Sequence, residues 1–363
     1  MKTTLLVLCL IVAAAAAQAQ PGAEGARRLG NVTIQPVYQN WSVEDGVAFS
    51  EFSSTVSMKF PVAKGAGVTL RSAHAVTAGD PASINGLSDT QLGGSYLWEK
   101  TGLMFSLGIN LPSGKTELDT SEFRTSALIS NTLFAMRVPG FGQGVRVNPG
   151  VIWAYPASAN VVLGVGASYQ YKAKFTPLSD GREYEPGAEL TFTGGADFRL
   201  SQSASLSADV VFTTYGKDKF AGAERFAAGS KIVGNLQFRN YFGYNEFYAY
   251  ARYRSKAKNE VAVAGILVEE QDKTEPDQVE LGVQLQLRLN ERFSNRIMLE
   301  GRFFEETRGA YSGASMFGAG MIPEITLSRY FSLPFRIKYQ FGSLPGGTSL
   351  SGFEAGLGLT LMF

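Results

Sequence analysis

The sequence predicts an all-β protein, a transmembrane antiparallel up-and-down β-barrel of about 16 strands, with 14 strands as the alternative. Three observations predict this fold class. The N-terminus reads as a secretory signal, long segments alternate strictly between apolar and polar residues, and the alternation continues to a terminal phenylalanine. Connections between the alternating segments are short and long in turn, which is typical of outer-membrane barrels in bacteria.

The first residues have the pattern of a signal peptide. A short positive region ending at Lys2 precedes an apolar run, and Ala17-Gln18-Ala19 matches a small-x-small cleavage pattern. We therefore expect residues 1–19 to be removed, leaving residues 20–363 as a single barrel domain. Cys9 lies in the signal, and Leu8 before it argues against lipidation. The mature chain then has no cysteine for a disulfide or a thiolate metal site.

Composition argues against two classes of protein, those that cross a membrane with helices and those that bind nucleic acid. No second run approaches the 18 or so apolar residues that a transmembrane helix requires, although 45% of the chain is hydrophobic. The 33 Lys and Arg residues balance the 32 Asp and Glu residues, whereas a nucleic-acid binder is normally basic. We therefore expect no nucleic-acid partner.

Periodicity identifies the strands. In residues 278–290 the odd positions from Val279 to Leu289 are Val or Leu, and the even positions are polar or Gly. Strict alternation of this kind indicates a strand with one apolar and one polar face. Soluble antiparallel sheets also alternate, but their strands cluster near five or six residues. The segments here are long enough for a tilted membrane strand of about 9–11 residues.

Sixteen segments follow this pattern. Pro36 interrupts the first, and proline is tolerated in strands mainly at edges or bulges, so loss of a strand pair would give 14. The predicted strands are 31–41, 48–62, 66–79, 88–99, 101–111, 143–155, 159–172, 187–200, 203–215, 227–242, 244–257, 277–290, 292–305, 314–329, 331–342 and 351–363.

The C-terminal strand carries the most specific motif. Apolar residues alternate from Phe353 to Phe363. This end resembles the C-terminal signature of bacterial outer-membrane proteins, which implies recognition of Phe363 by the barrel-assembly machinery. The same reading implies outer-membrane lipid and lipopolysaccharide as surroundings.

The predicted inner face is charged. A barrel of 16 strands leaves an aqueous channel, whereas eight strands fill their interior. Positive charges exceed negative ones on this face, which favours a water-filled lumen over a paired ionic network plugging a narrow barrel. The predicted pore-lining residues are Arg239, Arg252, Arg254, Glu280, Arg288, Arg296, Glu300, Arg302, Arg336, Lys338 and Glu354.

The longest connection, residues 112–142, is a candidate constriction. It contains Glu117, Asp119 and Glu122, followed by a mixed apolar stretch over residues 123–138 with room for a short helix. By position it resembles the loop that folds into the lumen of general porins. That resemblance implies that the three acidic residues face a basic wall and select solutes by charge and size. The alternative is an external loop that covers the mouth.

A second resemblance is to sequence. Residues 109–115, Ile-Asn-Leu-Pro-Ser-Gly-Lys, and residues 139–144, Pro-Gly-Phe-Gly-Gln-Gly, resemble putative outer-membrane transporters of meta-pathway phenol degradation. These are distant relatives of fatty-acid and aromatic-hydrocarbon uptake channels. The resemblance covers about the central third of the chain and implies uptake of hydrophobic or aromatic compounds. Against that substrate class, few residues precede the first strand to form a plug, and the inner face is charged.

The sequence therefore predicts a channel for passive diffusion of small solutes, with hydrophobic or aromatic uptake as the alternative. A hydrolase or a structural barrel is the competing class. Ser72 and His74 share a strand face, but their order is reversed relative to the His-x-Ser pattern of barrel esterases, and that face is predicted to point to lipid. We predict no enzymatic activity, cofactor or metal site. The sequence is compatible with both a monomer and a trimer.

Overall fold

The predicted alternating segments form a closed barrel. The computed structural model describes residues 30–44, 46–80, 82–308 and 311–363, so the predicted signal peptide and Cys9 lie outside the described residues. Within these ranges, sixteen strands make up the barrel. They are β1 (Asn31–Val43), β2 (Ala48–Ala63), β3 (Ala66–Gly79), β4 (Thr90–Trp98), β5 (Leu103–Leu111), β6 (Arg146–Ser158), β7 (Val161–Lys172), β8 (Glu189–Arg199), β9 (Ala204–Tyr215), β10 (Lys231–Phe242), β11 (Asn245–Lys256), β12 (Gln278–Arg288), β13 (Phe293–Phe304), β14 (Ser315–Ser328), β15 (Phe331–Ser343) and β16, which has two parts (Ser349–Leu357 and Leu359–Met362).

Every barrel strand pairs with the next one along the chain, and all pairs are antiparallel. The last strand returns to the first, with Glu354 opposite Gln39 and Met362 opposite Asn31. Closure pairs the backbone groups that an open sheet edge would leave free, which a lipid environment requires. The prediction of 16 strands is confirmed, and the alternative of 14 is excluded.

Pro36 lies inside β1 and interrupts the closing seam, which is the pairing between β1 and β16. Pairing of β1 with β16 runs up to Ile34–Leu359 and resumes at Val37–Gly356. The two parts of β16 separate at Gly358, whose N–H donates instead to the carbonyl of Pro334 on β15 at 2.6 Å. Because proline has no N–H to donate, the seam is interrupted where Pro36 stands.

The two faces of the wall differ as predicted. On β15, Tyr339 and Phe341 are about half exposed on the outer face, whereas Lys338 and Gln340, which alternate with them, are buried. Exposed apolar side chains of this kind surround the barrel, as expected for a surface that contacts lipid. Aromatic residues are also exposed beside two of the short turns, at Tyr241, Phe242, Tyr244, Tyr330 and Phe331.

Short turns gather at one end of the barrel, with Gly30 and Phe363, and long loops gather at the other. Gly102 in the turn between β4 and β5 has φ 70°, and a Cβ there would lie 2.2 Å from the carbonyl oxygen of Ala154. Only glycine meets both requirements. No helix in the described ranges is long and apolar enough to cross a membrane.

The loop end carries structure that the sequence did not predict. Five short strands from three loops form a second antiparallel sheet beyond the barrel. They are Tyr184–Glu185, Lys217–Phe220, Ala223–Ala227, Glu260–Val263 and Ile266–Glu269. Asn85–Leu87 adds a further short strand beside β3. Polar side chains join these loops, and the pKa of Tyr184 is raised by burial and by its hydrogen bond to the Asp218 carboxylate.

Candidate functional site: the lumen and its internal loop

The connection between β5 and β6 holds the α-helix found among the described residues, α1 (Thr120–Ile129). Asp119 is its N-cap and accepts the Glu122 N–H at 2.8 Å, while the Glu122 side chain accepts the Asp119 N–H at 3.2 Å. This reciprocal capping box satisfies two helix-end donors. The helix predicted within residues 123–138 therefore exists, but it starts earlier and ends at Ile129.

An apolar anchor holds the segment after α1. The Phe134 side chain is fully buried and meets three aromatic rings edge to face. Its ring centroid lies 4.9 Å from that of Phe49 on β2, 5.5 Å from that of Trp41 on β1 and 5.1 Å from that of Tyr311. Trp41 and Phe49 are paired positions on the inner face of adjacent strands. The loop thus enters the barrel and packs against the inside of its wall.

Two charged side chains of the wall fix the backbone of the same segment. Nη1 of Arg302 on β13 donates to the carbonyl of Leu133 at 2.9 Å and to that of Thr132 at 3.2 Å. Oε1 of Glu51 on β2 accepts the Val138 N–H at 3.1 Å. Buried backbone groups of a loop need such partners because water does not reach them.

Gln39 on β1 completes the attachment. Its Oε1 accepts the Arg137 N–H at 2.8 Å, and its Nε2 donates to the carbonyl of Ala135 at 3.4 Å. Of the two predicted arrangements, the structure therefore has the inward one, and the loop does not simply cover the mouth.

Two of the three acidic residues predicted for the constriction have their partners within the loop. Glu122 pairs with Lys115 of the same loop, and Asp119 caps α1. The hydroxyl of Ser121 and the amide of Glu122 hold the pKa of Asp119 below its ordinary value. Glu117 is exposed, and no bond of its side chain to the wall occurs among the described residues. Asp119 and Glu122 thus bond within the loop itself, and selection of solutes by these three carboxylates stays a prediction.

The charged contact between loop and wall has the opposite polarity. Arg137 from the loop forms an ion pair with Glu354 of β16. Arg336 of β15 approaches the same carboxylate, with its Nε 3.4 Å from Oε1 of Glu354. A loop cation therefore meets a wall anion, and two guanidinium groups share one carboxylate.

The predicted pore-lining residues lie on the inner face of the wall but differ in exposure. Arg239, Arg252, Arg288 and Arg296 are exposed, and Arg254, Glu280, Glu300 and Arg336 are half-buried. The remaining three, Arg302, Lys338 and Glu354, are buried. These three do not line open water because the internal loop and their ion-pair partners cover them. That the exposed members contact a solute stays a prediction.

Ion pairs link the buried members. Nζ of Lys338 lies 2.6 Å from Oε1 of Glu300, which is also 3.7 Å from Nε of Arg302. On the inner face of the neighbouring strands β11 and β12, Gly282 makes room for a large side chain. A Cβ at Gly282 would lie 2.4 Å from the Tyr250 ring. Buried charges are tolerated only when they are paired in this way. The ionic network that the sequence offered as an alternative thus exists on one side of the barrel, which we call the packed wall (β13–β16 and β1–β3).

The opposite side, which we call the open wall (β4–β9), has a different lining. The strand register places small uncharged residues side by side on its inner face. Contacts confirm the shared face, since a Cβ at Gly150 would lie 2.8 Å from Oγ of Ser106. This belt consists of Ser95, Ser106, Gly150, Ser168 and Thr191.

Two cavities open on the inner face. One of about 400 Å³ lies between loop residues 136–143 and β3–β5, where Arg71, Gln91 and Asn110 line it. A second of about 210 Å³ lies elsewhere along the wall, lined by Arg239, Glu246, Tyr248, Gln284, Gln286 and Arg296. Arg71, Gln91 and Asn110 were not among the residues predicted from the sequence. Alternation along β3, β4 and β5 was the available signal, but it says nothing of the loop that faces them.

The residues considered for a hydrolase do not form a catalytic pair. His74 Nε2 lies 2.9 Å from Oδ1 of Asn85, and Oγ of Ser72 accepts a hydrogen bond from Thr90. No hydrogen bond joins Ser72 to His74 in the described structure. No group of three or more potential metal ligands occurs in the ranges that the structure describes.

No family model and no curated protein matches this chain. Solved structures that resemble it include the CymD monoaromatic hydrocarbon channel, at 10% identity and a TM-score of 0.47 over 92% of this chain and 88% of that one. The outer-membrane channel DcaP of Acinetobacter baumannii is 13% identical, with a TM-score of 0.46 over 95% of this chain and 100% of that one. OprD of Pseudomonas aeruginosa is 9% identical, with a TM-score of 0.45 over 93% of this chain and 96% of that one. At these identities and TM-scores, the similarity assigns neither a family nor a substrate. The resemblance to phenol-pathway transporters therefore stays a prediction.

Proposed function

We propose that this chain is an outer-membrane channel for the passive diffusion of small polar solutes, which pass between the internal loop and the open wall. The observation that carries the proposal is the one-sided attachment of the loop. Its central segment is fixed to the packed wall through Phe134, Arg302 and Glu51. No hydrogen bond described for the chain joins the loop to the small-residue belt of the open wall. A narrowed but unfilled lumen is the arrangement expected of a diffusion channel.

The lining supports polar rather than hydrophobic solutes. The belt of the open wall is made of hydroxyl side chains and glycine, and both cavities of the inner face contain arginine and amide side chains. Apolar ligands instead favour pockets lined mainly by hydrophobic and aromatic residues.

The proposed location is the outer membrane, with lipid around the exposed apolar face. Phe363 closes the turn end, where its N–H donates to the carbonyl of Gly30 at 3.1 Å and its ring lies 5.6 Å from that of Phe60. We retain recognition of this residue by the barrel-assembly machinery as part of the proposal. Removing Phe363 should lower the yield of folded barrel in the outer membrane, measured by membrane fractionation.

Single-channel conductance in a planar bilayer tests the proposal. The refolded chain should give steady conductance in potassium chloride, and added polar solutes should reduce it. A protein shown to be folded that gives no conductance would contradict the open-channel function.

Cysteine labelling locates the path. Ser106 faces the lumen and Leu107 faces outward on the same strand, and the chain has one native cysteine, Cys9, in the predicted signal peptide. A charged thiol reagent added from the aqueous side should lower the conductance of S106C and leave that of L107C unchanged. Equal responses would place the path elsewhere.

A further inference from the structure

We propose that the 400 Å³ cavity beside the internal loop is a binding site for the carboxylate group of a small organic anion. The site deepens the proposed channel function, because it would give the lumen a preferred class of solute. Its volume falls within the range of about 300–1,000 Å³ that is common for small-molecule sites.

The wall side of the cavity is a row of unpartnered hydrogen-bond donors. Arg71, Gln91 and Asn110 are consecutive partners in the register of β3, β4 and β5 and share the inner face. The Arg71 side chain is exposed. None of the three side chains has a hydrogen-bond or ion-pair partner among the residues that the structure describes. Because no protein group occupies their donors, these side chains are available to water or to a solute in the cavity.

The loop side adds a second guanidinium group. Arg137 faces the cavity while it shares Glu354 with Arg336. Because Arg336 shares this carboxylate, Glu354 is not available to Arg137 alone. An anion in the cavity would therefore lie between a fully available guanidinium group and a partly available one.

One acidic residue, Asp89, also lines the cavity, but protein donors occupy both of its oxygens. Asp89 is nearly buried, and its two oxygens accept the N–H groups of Gly114 at 3.0 Å and Gln143 at 2.7 Å. Glu354 and Glu51 are also buried. A solute in the cavity thus meets the exposed Arg71, the half-buried Arg137 and amide groups, and the lining carboxylate of Asp89 already accepts two backbone N–H groups.

The donor geometry selects a carboxylate. A guanidinium group presents parallel N–H donors that match the two oxygens of a carboxylate, and amide donors can supplement that pair. Met136, Pro139 and Phe141 line the other side of the cavity and offer a small apolar contact for the body of the molecule. The expected ligand is a monocarboxylate with a small apolar body.

Sodium benzoate and its uncharged isostere benzamide are the probes. Binding is measured by calorimetry on the full refolded chain in detergent, and block of conductance is measured separately in bilayers. Benzoate should bind, benzamide should not, and inorganic phosphate should bind more weakly than benzoate. Phosphate binding as strong as that of benzoate would overturn the carboxylate assignment.

Arg71→Gln and Arg296→Gln form the matched pair of variants. Each removes one positive charge from the lumen wall, but Arg296 lies in the other cavity. The first variant should weaken benzoate about tenfold or more, the loss expected for a hydrogen bond to a charged group, and the second should bind like the parent. Arg71→Lys keeps the charge without the paired donors and should fall between them. Equal weakening by both charge-removing variants would show a general field effect and overturn the site.

The two readouts separate the site from the channel. Conductance without Arg71-dependent binding would overturn the site and leave the proposed function standing. Arg71-dependent binding by a folded protein that does not conduct would support the site and contradict the proposed function.

Discussion

The packed wall and the open wall share the same alternating strand pattern but carry different inner side chains. On the packed wall, large and charged inner side chains such as Trp41, Arg302 and Glu354 are buried beneath the internal loop or in ion pairs. On the open wall, the belt from Ser95 to Thr191 is small and uncharged, and no hydrogen bond described for the chain joins the loop to it. Both walls alternate between apolar outer and polar inner positions. The difference lies in the size and charge of the inner residues.

This contrast shows that a charged inner face need not be a charged pore lining. Buried ions require partners, and the packed wall supplies them through Glu300, Lys338 and Arg302. Some of the charge that alternation assigns to the lumen, such as Arg302 and Glu354, therefore holds the loop in place. The small residues opposite line the proposed solute path.

The largest expected effect tests the anchor of the packed wall. Phe134→Ala removes a fully buried ring with three aromatic contacts, and such a truncation typically costs about 3–5 kcal/mol. We expect the loop to detach, with higher conductance and faster proteolysis within residues 131–141. Phe123→Ala is the control, because Phe123 belongs to the same loop but is exposed. Identical behaviour of the two variants would mean that the packed wall does not hold the loop through this ring.

A smaller effect is expected for the polar attachment. Arg302→Met removes the donors to Thr132 and Leu133 and leaves Glu300 with one fewer cation. Loss of a charge-assisted hydrogen bond typically costs about 1.5–3 kcal/mol. Urea unfolding of the refolded barrel should show this decrease in the free energy of unfolding.

Arg308→Met provides the comparison for that experiment. Arg308 is exposed and pairs with Asp272 outside the barrel strands, and an exposed pair contributes about 0–1 kcal/mol. If Arg302→Met costs no more than Arg308→Met, the buried network does not stabilise the packed wall.

The open wall is tested by filling it. Gly108 faces the lumen, and a Cβ there would have only ordinary contacts, the nearest at 3.6 Å from Asn148 Cβ. Gly108→Phe should lower the conductance without preventing folding. On the neighbouring strand, Gly94 faces outward with nothing within 4 Å of an added Cβ, so Gly94→Phe should conduct like the parent. A drop in both variants would indicate a folding defect rather than an obstructed path.

The smallest expected effect concerns the rim of the packed wall. Glu44 follows β1 and accepts the hydroxyl of Ser349 at 2.5 Å and its N–H at 3.1 Å, which lower the pKa of Glu44. Because the folded-state pKa is lowered, the contact is fully present above the ordinary carboxyl pKa and is lost as the pH falls through the lowered value. Amide exchange at Ser349 should therefore accelerate at acidic pH, after correction for intrinsic exchange. Glu44→Gln should remove that pH dependence.

Much of the barrel could be predicted because its cause is local. Alternation located all sixteen strands within a few residues; the segment predicted as 143–155, for example, is Arg146–Ser158. Each strand must place apolar side chains toward lipid and polar ones inward, and this requirement is written into neighbouring residues. The outer sheet escaped prediction because its strands, such as Glu260–Val263, have five residues or fewer to display a period.

The candidate site was only partly predictable. The sequence located the loop and the inner-facing charges, but it assigned Glu117, Asp119 and Glu122 to the constriction. It could not show that Asp119 caps α1 or that Lys115 takes up Glu122. It also missed Arg71, whose importance depends on a loop segment more than sixty residues away along the chain.

The sequence by itself determined the strands, their inward and outward faces and the lengths of their connections, because alternation and turn chemistry act over a few residues. The tertiary structure alone decided which inner charges are covered and which remain open to water. That outcome depends on barrel closure, which brings β1 and β16 together, and on the seating of Phe134 between Trp41 and Phe49. Contacts between residues far apart in the chain leave no periodic trace in the sequence.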